Sequence, residues 1–155
     1  MALFDISELL EMAVKDELTG QAYYEALAQA TADAKLRKLC AGLAAQEAGH
    51  ATRFRAMTAE VPEPKKRTEG YLGQREDYVG ALLGSRAFPT PEAAAAKAAA
   101  IANDPAAVAI ALGMEKNTLL FFLEMRDLVA EKDGKYMDAI IEEERAHVTQ
   151  LSAIS

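Results

Sequence analysis

Both histidines of this chain close the same kind of four-residue phrase. One is Glu47-Ala48-Gly49-His50 and the other is Glu144-Arg145-Ala146-His147. On a helix, positions i and i+3 share a face, so each phrase aims a carboxylate and an imidazole in one direction. Glutamate makes up about a tenth of the chain. At that frequency, both histidines would carry a glutamate three places upstream about one time in a hundred. Two such phrases on facing helices, completed by one glutamate from each of two further helices, build a dinuclear metal site inside a four-helix bundle.

The two further glutamates emerge when the chain is read as a repeat. Ala13-Val14-Lys15-Asp16-Glu17 in the first half matches Ala111-Leu112-Gly113-Met114-Glu115 in the second. Glu17 and Glu115 are 98 residues apart, while Glu47 to Glu144 and His50 to His147 are each 97. Seven residues past each of the first pair stands an aromatic, Tyr24 and Phe122, itself preceded by its own kind, Tyr23 and Phe121. A helical hairpin used twice, with four glutamates and two histidines facing inward, follows from this register.

The elements that must position these groups are visible as apolar seams with steps of three and four. Asp5, with Glu8 as a capping-box-like partner, opens a helix running to about Thr31 along Ile6, Leu10, Ala13, Glu17, Gly20, Tyr24 and Leu27. Asp33 is the expected cap of a second helix, with seam Leu36, Cys40, Leu43, Glu47, His50, Phe54 and Met57. The turn near residue 32 lies midway between Glu17 and Glu47, which brings both carboxylates to one height, about 22 Å from the turn. Residues 61–89 hold Pro62, Pro64, the basic cluster Lys65-Lys66-Arg67 and several glycines, and read as a long crossover with a short helix near Glu76 to Leu83. Thr90-Pro91-Glu92 starts an alanine-rich helix, and Asp104-Pro105 repeats the start signal for a third seam helix through Val108, Ala111, Glu115, Thr118, Phe122, Met125 and Val129. Lys132-Asp133-Gly134 is read as a tight turn, and the last seam runs Met137, Ile140, Glu144, His147, Leu151, Ile154. The prediction is an all-α, ferritin-like four-helix bundle in a single domain over 1–155. Hairpin 1 spans 5–60, the crossover and short helix 61–104, and hairpin 2 105–155. A long crossover between hairpins is the mark of that bundle type.

Composition agrees and excludes much else. A chain of 155 residues rich in alanine, leucine and glutamate suits one helical domain with a real core. A formal charge of −7 disfavours nucleic acid and anionic membranes as partners. The one cysteine, Cys40, excludes an internal disulfide framework and is expected to be a small core residue. The start lacks a signal-peptide pattern and no run is apolar enough for a membrane span, so a cytoplasmic location is expected.

A seam position is hostile to an unpaired carboxylate, which costs several kcal/mol when buried alone. One seam glutamate is more often a solvated edge, and one histidine more often a satisfied core residue. Here four seams are interrupted at one level, and a pair of cations reverses the sign of the repulsion. Oxygen and imidazole donors without thiolate suit iron or manganese. Six protein ligands for two metals leave positions open for dioxygen, peroxide or water. Glu142 and Glu143 compete with Glu144, but only Glu144 keeps both seam and spacing, so the other two are expected to be exposed. Tyr24 reads either as core or as hydrogen-bond donor to a ligand carboxylate.

The phrases AVKDELTGQAYYEALA, LAAQEAGHATRF, ALGMEKNTLLFF and IIEEERAHVTQL together resemble the rubrerythrin group of ferritin-like proteins over about two-thirds of the chain. The resemblance implies a non-haem di-iron centre held by Glu17, Glu47, His50, Glu115, Glu144 and His147, two irons per chain, with manganese or mixed metal as variants. It also implies a homodimer and reduction of hydrogen peroxide or dioxygen. Rubrerythrins proper add a rubredoxin-like module with CxxC pairs, absent from a sequence with one cysteine, so an external electron-transfer protein is the expected donor. They also carry a redox-mobile glutamate where this chain has Thr118, whose counterpart in the first half is Gly20, and two small residues predict a roomier site. The leading expectation is a di-iron oxidoreductase, with Tyr24 as the catalytic candidate beside the metals. A ferroxidase-type iron-handling protein and a di-iron oxygenase are the alternatives.

Overall fold

The computed structural model describes residues 5–61, 81 and 90–154. The expected crossover helix near Glu76 to Leu83 and the basic cluster Lys65-Lys66-Arg67 lie outside the described residues, apart from Ala81. Among the described residues every regular element is helical: α1 (Ile6–Ala30), α2 (Ala34–Glu60), α3 (Pro91–Ile101), α4 (Ala107–Arg126) and α5 (Gly134–Ser152), with a 3-10 turn at Glu131–Asp133 before α5.

Local sequence sets these limits. Asp5 caps α1 by accepting from the Ser7 backbone N–H at 2.9 Å and from the Ser7 hydroxyl at 2.6 Å. Asp33 caps α2 by accepting from the N–H groups of Lys35 and Leu36 at 2.7 and 3.1 Å. Thr90 caps α3 through the Ala93 N–H, with Pro91 in the first turn. The expected start at Asp104 moves on: Asp104 instead accepts from Ala106 N–H at 2.8 Å in a short turn, and α4 begins at Ala107. The expected tight turn at 132–134 is a 3-10 turn that runs straight into α5. Ile154, expected on the last seam, falls beyond the end of α5 and is exposed.

α1 packs on α2 and on α3, and α4 packs on α5. The alanines of α3, Ala94 and Ala98, are fully buried, and their small side chains let that helix lie close against α1. Asn103 ties the α3–α4 junction to the first hairpin turn, accepting from Ala32 N–H at 2.8 Å and donating to the Ala30 carbonyl at 3.4 Å.

The core divides into two apolar clusters. One joins the beginning of α1 (Leu9, Leu10), the end of α2 (Phe54), the end of α4 (Phe122, Met125) and the beginning of α5 (Met137, Ile140). The other joins the end of α1 (Tyr24, Leu27), the beginning of α2 (Cys40, Leu43), the beginning of α4 (Ala111) and the end of α5 (Leu151). The bundle therefore runs up-down-down-up: α2 and α4 point the same way, which a short turn cannot connect. This is the all-α ferritin-like arrangement. A polar layer lies between the two clusters.

Candidate metal centre

The polar layer is made by one interruption in each seam. Glu17 on α1, Glu47 on α2, Glu115 on α4 and Glu144 on α5 are all buried, at 1 to 5 % exposure. His147 is fully buried and His50 is 13 % exposed. The i,i+3 spacing does locally what it predicts, placing Glu47 with His50 and Glu144 with His147.

The six side chains come together. His50 Nδ1 lies 3.3 Å from Glu17 Oε2. His147 Nδ1 lies 3.6 Å from both Glu47 Oε1 and Glu115 Oε2. The two imidazoles stack, with centroids 5.1 Å apart and planes at 27°. Two overlapping groups could each hold a metal ion, Glu47–His50–His147 and Glu115–Glu144–His147, the donor atoms within each lying within 4.8 Å of one another. Both oxygens of Glu17, one of Glu144, Nδ1 of His50 and both nitrogens of His147 are buried without a hydrogen-bond partner among the described residues. Buried polar atoms are almost always satisfied, and a bound ion could satisfy this set.

Electrostatics point the same way. Burial, then the neighbouring Glu17, Glu115 and Glu144 carboxylates, push Glu47 well above the usual carboxylate range. Burial, then Glu115 and Glu17, do the same for Glu144. For His147, burial acts downward, but Glu115, Glu17 and Glu143 outweigh it and raise the imidazole above its ordinary value. Raised values of this kind mark like charges crowded together, a repulsion that protons or bound cations could relieve.

Tyr24 is fully buried and donates a short hydrogen bond to Glu115 Oε1. Burial first, then Glu115 and Glu47, hold the Tyr24 hydroxyl well above 10, so it stays a donor. Its partner carboxylate is the one on α4, across the bundle, not Glu17 one turn pair away on its own helix. Cys40 sits in the apolar core as expected, its thiol pushed by burial up to about 11.

Two expectations are corrected. Gly20 does not make the site roomier: a Cβ there would lie 2.5 Å from Glu47 Oε1 and 2.9 Å from its Cδ. The space a side chain would occupy is taken by the Glu47 carboxylate. Thr118, its counterpart on α4, is half-buried. Glu143, expected in solvent with Glu142, is instead only 22 % exposed, and its Oε2 lies 2.9 Å from His50 Nε2. Its Oε1 accepts a short hydrogen bond from Arg53 Nη1 on α2. Seam logic misses Glu143 because it is one residue off the seam. The available signal was that Arg53 and Glu143 stand one turn beyond His50 and beside Glu144, within reach of each other across α2 and α5.

The model of the rubrerythrin family matches residues 8–155. The chain belongs to the rubrerythrin family. Its likeness to a solved structure supports the fold: a hypothetical protein from Pyrococcus furiosus is 20 % identical, with 97 % of this chain and 87 % of that chain covered at a TM-score of 0.57. No curated protein matches. Rubrerythrins are di-iron proteins, and the buried carboxylate and imidazole groups of this member could hold metal. Among its described residues no helix is long and apolar enough to cross a membrane.

Proposed function

We propose that Glu17, Glu47, His50, Glu115, Glu144 and His147 hold two iron ions, and that the protein is a cytoplasmic non-haem di-iron oxidoreductase reducing hydrogen peroxide or dioxygen. The observation that carries this reading is the buried layer of four carboxylates and two inward Nδ1 atoms, with half a dozen donor atoms lacking a hydrogen-bond partner among the described residues. The donor set is hard oxygen plus imidazole with no thiolate, which fits iron, with manganese as the nearest substitute. A bound iron pair would supply two electrons, enough with two protons to convert one peroxide to two waters.

The chain's own residues supply placement. The half-buried Glu143, held by the exposed Arg53, orients His50, and Tyr24 acts through Glu115 as a positioning residue, holding that carboxylate fixed. The two apolar clusters above and below the layer exclude bulk water. With one cysteine in the sequence and no CxxC pair, electrons come from an external electron-transfer protein. A homodimer fits the exposed Leu120 and Leu123 on α4.

Metal analysis followed by anaerobic reduction and stopped-flow mixing tests the reading. Two irons per chain and reoxidation faster with peroxide than with dioxygen are expected. Fewer than two metals per chain would overturn the centre, and faster reaction with dioxygen would favour iron handling. One observation lends that second reading support: Glu143 offers a partly exposed carboxylate directly against His50. Light scattering that gives 16.7 kDa at all concentrations would remove the dimer.

A further inference from the structure

The offset of 97 residues that carries Glu47 onto Glu144 and His50 onto His147 also carries Gln46 onto Glu143 and Arg53 onto Gln150. The two crossings between α2 and α5 are therefore equivalent by position and different in chemistry. At one, Glu143 stands 2.9 Å from the outward nitrogen of His50 and is itself held by Arg53. At the other, Gln46 and Gln150 bond reciprocally, amide nitrogen to amide oxygen at 3.0 and 2.9 Å. The outward nitrogen of His147 is buried and has no hydrogen-bond partner among the described residues. A third difference acts at the same end of the layer. Tyr24 donates to Glu115, which is grouped with His147 and not with His50, whereas Phe122, which takes the place of Tyr24 in the second half, has no hydroxyl.

An imidazole that gives its outer N–H to a carboxylate keeps its lone pair on the inner nitrogen and becomes the more basic ligand. Arg53 fixes the Glu143 carboxylate in that role through a charge-assisted hydrogen bond. Among the described residues His147 has no such support, and the hydrogen bond from Tyr24 draws charge away from Glu115. Both effects weaken one side relative to the other.

We propose that the two metal positions are unequal and fill in order. The position served by His50 takes a divalent cation about 10- to 100-fold more tightly than the position served by His147. Glu143 and Arg53 form the positioning pair responsible. This inference rests on the metal-centre reading above.

Zinc, which has no redox chemistry of its own, is the probe. It is titrated into the metal-free full chain while the ring nitrogens of isotope-labelled histidine are followed by NMR. With only two histidines the spectrum holds two ring systems, assigned from a His50→Ala sample. The His50 signals should complete their shift before those of His147 begin. Glu143→Gln should weaken the first step about 10- to 100-fold and merge the two. Gln46→Glu combined with Gln150→Arg, which installs the same pair behind His147, should tighten the second step until the two coincide. Two zinc ions taken up with both histidines shifting together, or two unchanged steps in Glu143→Gln, would overturn the inference and leave the metal centre standing. A parent chain that takes up no second zinc would overturn the metal centre and the inference with it.

Discussion

Gly20 on α1 and the Glu47 carboxylate on α2 share one space: a Cβ on Gly20 would stand 2.5 Å from Glu47 Oε1. In the metal-free protein the end of Glu47 can swing aside, and glycine inside a helix is worth about 1 kcal/mol less than alanine. Gly20→Ala should therefore leave the metal-free protein as stable or more stable, by up to about 1 kcal/mol, while weakening metal uptake because Glu47 can no longer reach its place. Thermal unfolding with and without added metal reads both effects. A variant stabilised by metal as strongly as the parent would contradict the idea that this glycine serves the site.

The metal-free protein should lose stability as pH rises. Glu47 and Glu144 are held well above their ordinary value of 4.5, and His147 is raised above 6.5. Each group thus binds its proton more tightly folded than unfolded. Below about pH 4.5 these carboxylates are protonated in both states and their contribution is fully present. It drains away as the unfolded chain releases protons that the folded chain retains, and His147 extends the same slope upward from 6.5. Metal ions displace these protons, so metal uptake should strengthen over the same range. Denaturant titrations from pH 5 to 8 on metal-free samples should give midpoints that fall with pH; midpoints that climb would refute the sign.

Tyr24→Phe should lower stability by about 1–2 kcal/mol, since it leaves a buried carboxylate oxygen of Glu115 without its donor. The ring volume is nearly kept, and Phe122 in the equivalent place shows that the core accepts phenylalanine there. Chemical denaturation of the metal-free proteins measures the difference. No loss at all would mean that the hydroxyl contributes nothing to holding Glu115.

Thr118→Glu places a carboxylate three residues past Glu115 on α4. If the lack of a mobile carboxylate limits the reaction, the reduced variant should be reoxidised by peroxide faster than the parent in stopped-flow mixing. An unchanged rate would assign the limit elsewhere.

The seams made most of this legible from residues alone. Asp33 and Thr90 cap where their types and positions say they should, because N-capping depends on a few adjacent residues. The six inward groups follow from periodicity, since a bundle forces every third or fourth residue into one layer. What the periodicity could not reach were relations between helices. Glu143 lies off its seam, and only the meeting of α2 with α5 turns it toward His50. Gly20 reads as vacant space until the path of the Glu47 side chain is known. Val129 shows the same limit at an end: the seam predicts that α4 continues to it, yet the helix stops at Arg126 and Val129 is buried in the connection.

The unlike crossings between α2 and α5 have a consequence for how such a molecule can change. Two separate copies of one hairpin, meeting about a two-fold axis, would carry every substitution on both sides at once. Glutamate at one place and glutamine at its mirror place would then be forbidden by identity of sequence. With both hairpins written into one chain, position 46 and position 143 drift independently, as do 53 and 150. Fusion turns a symmetric cage into one with a left and a right.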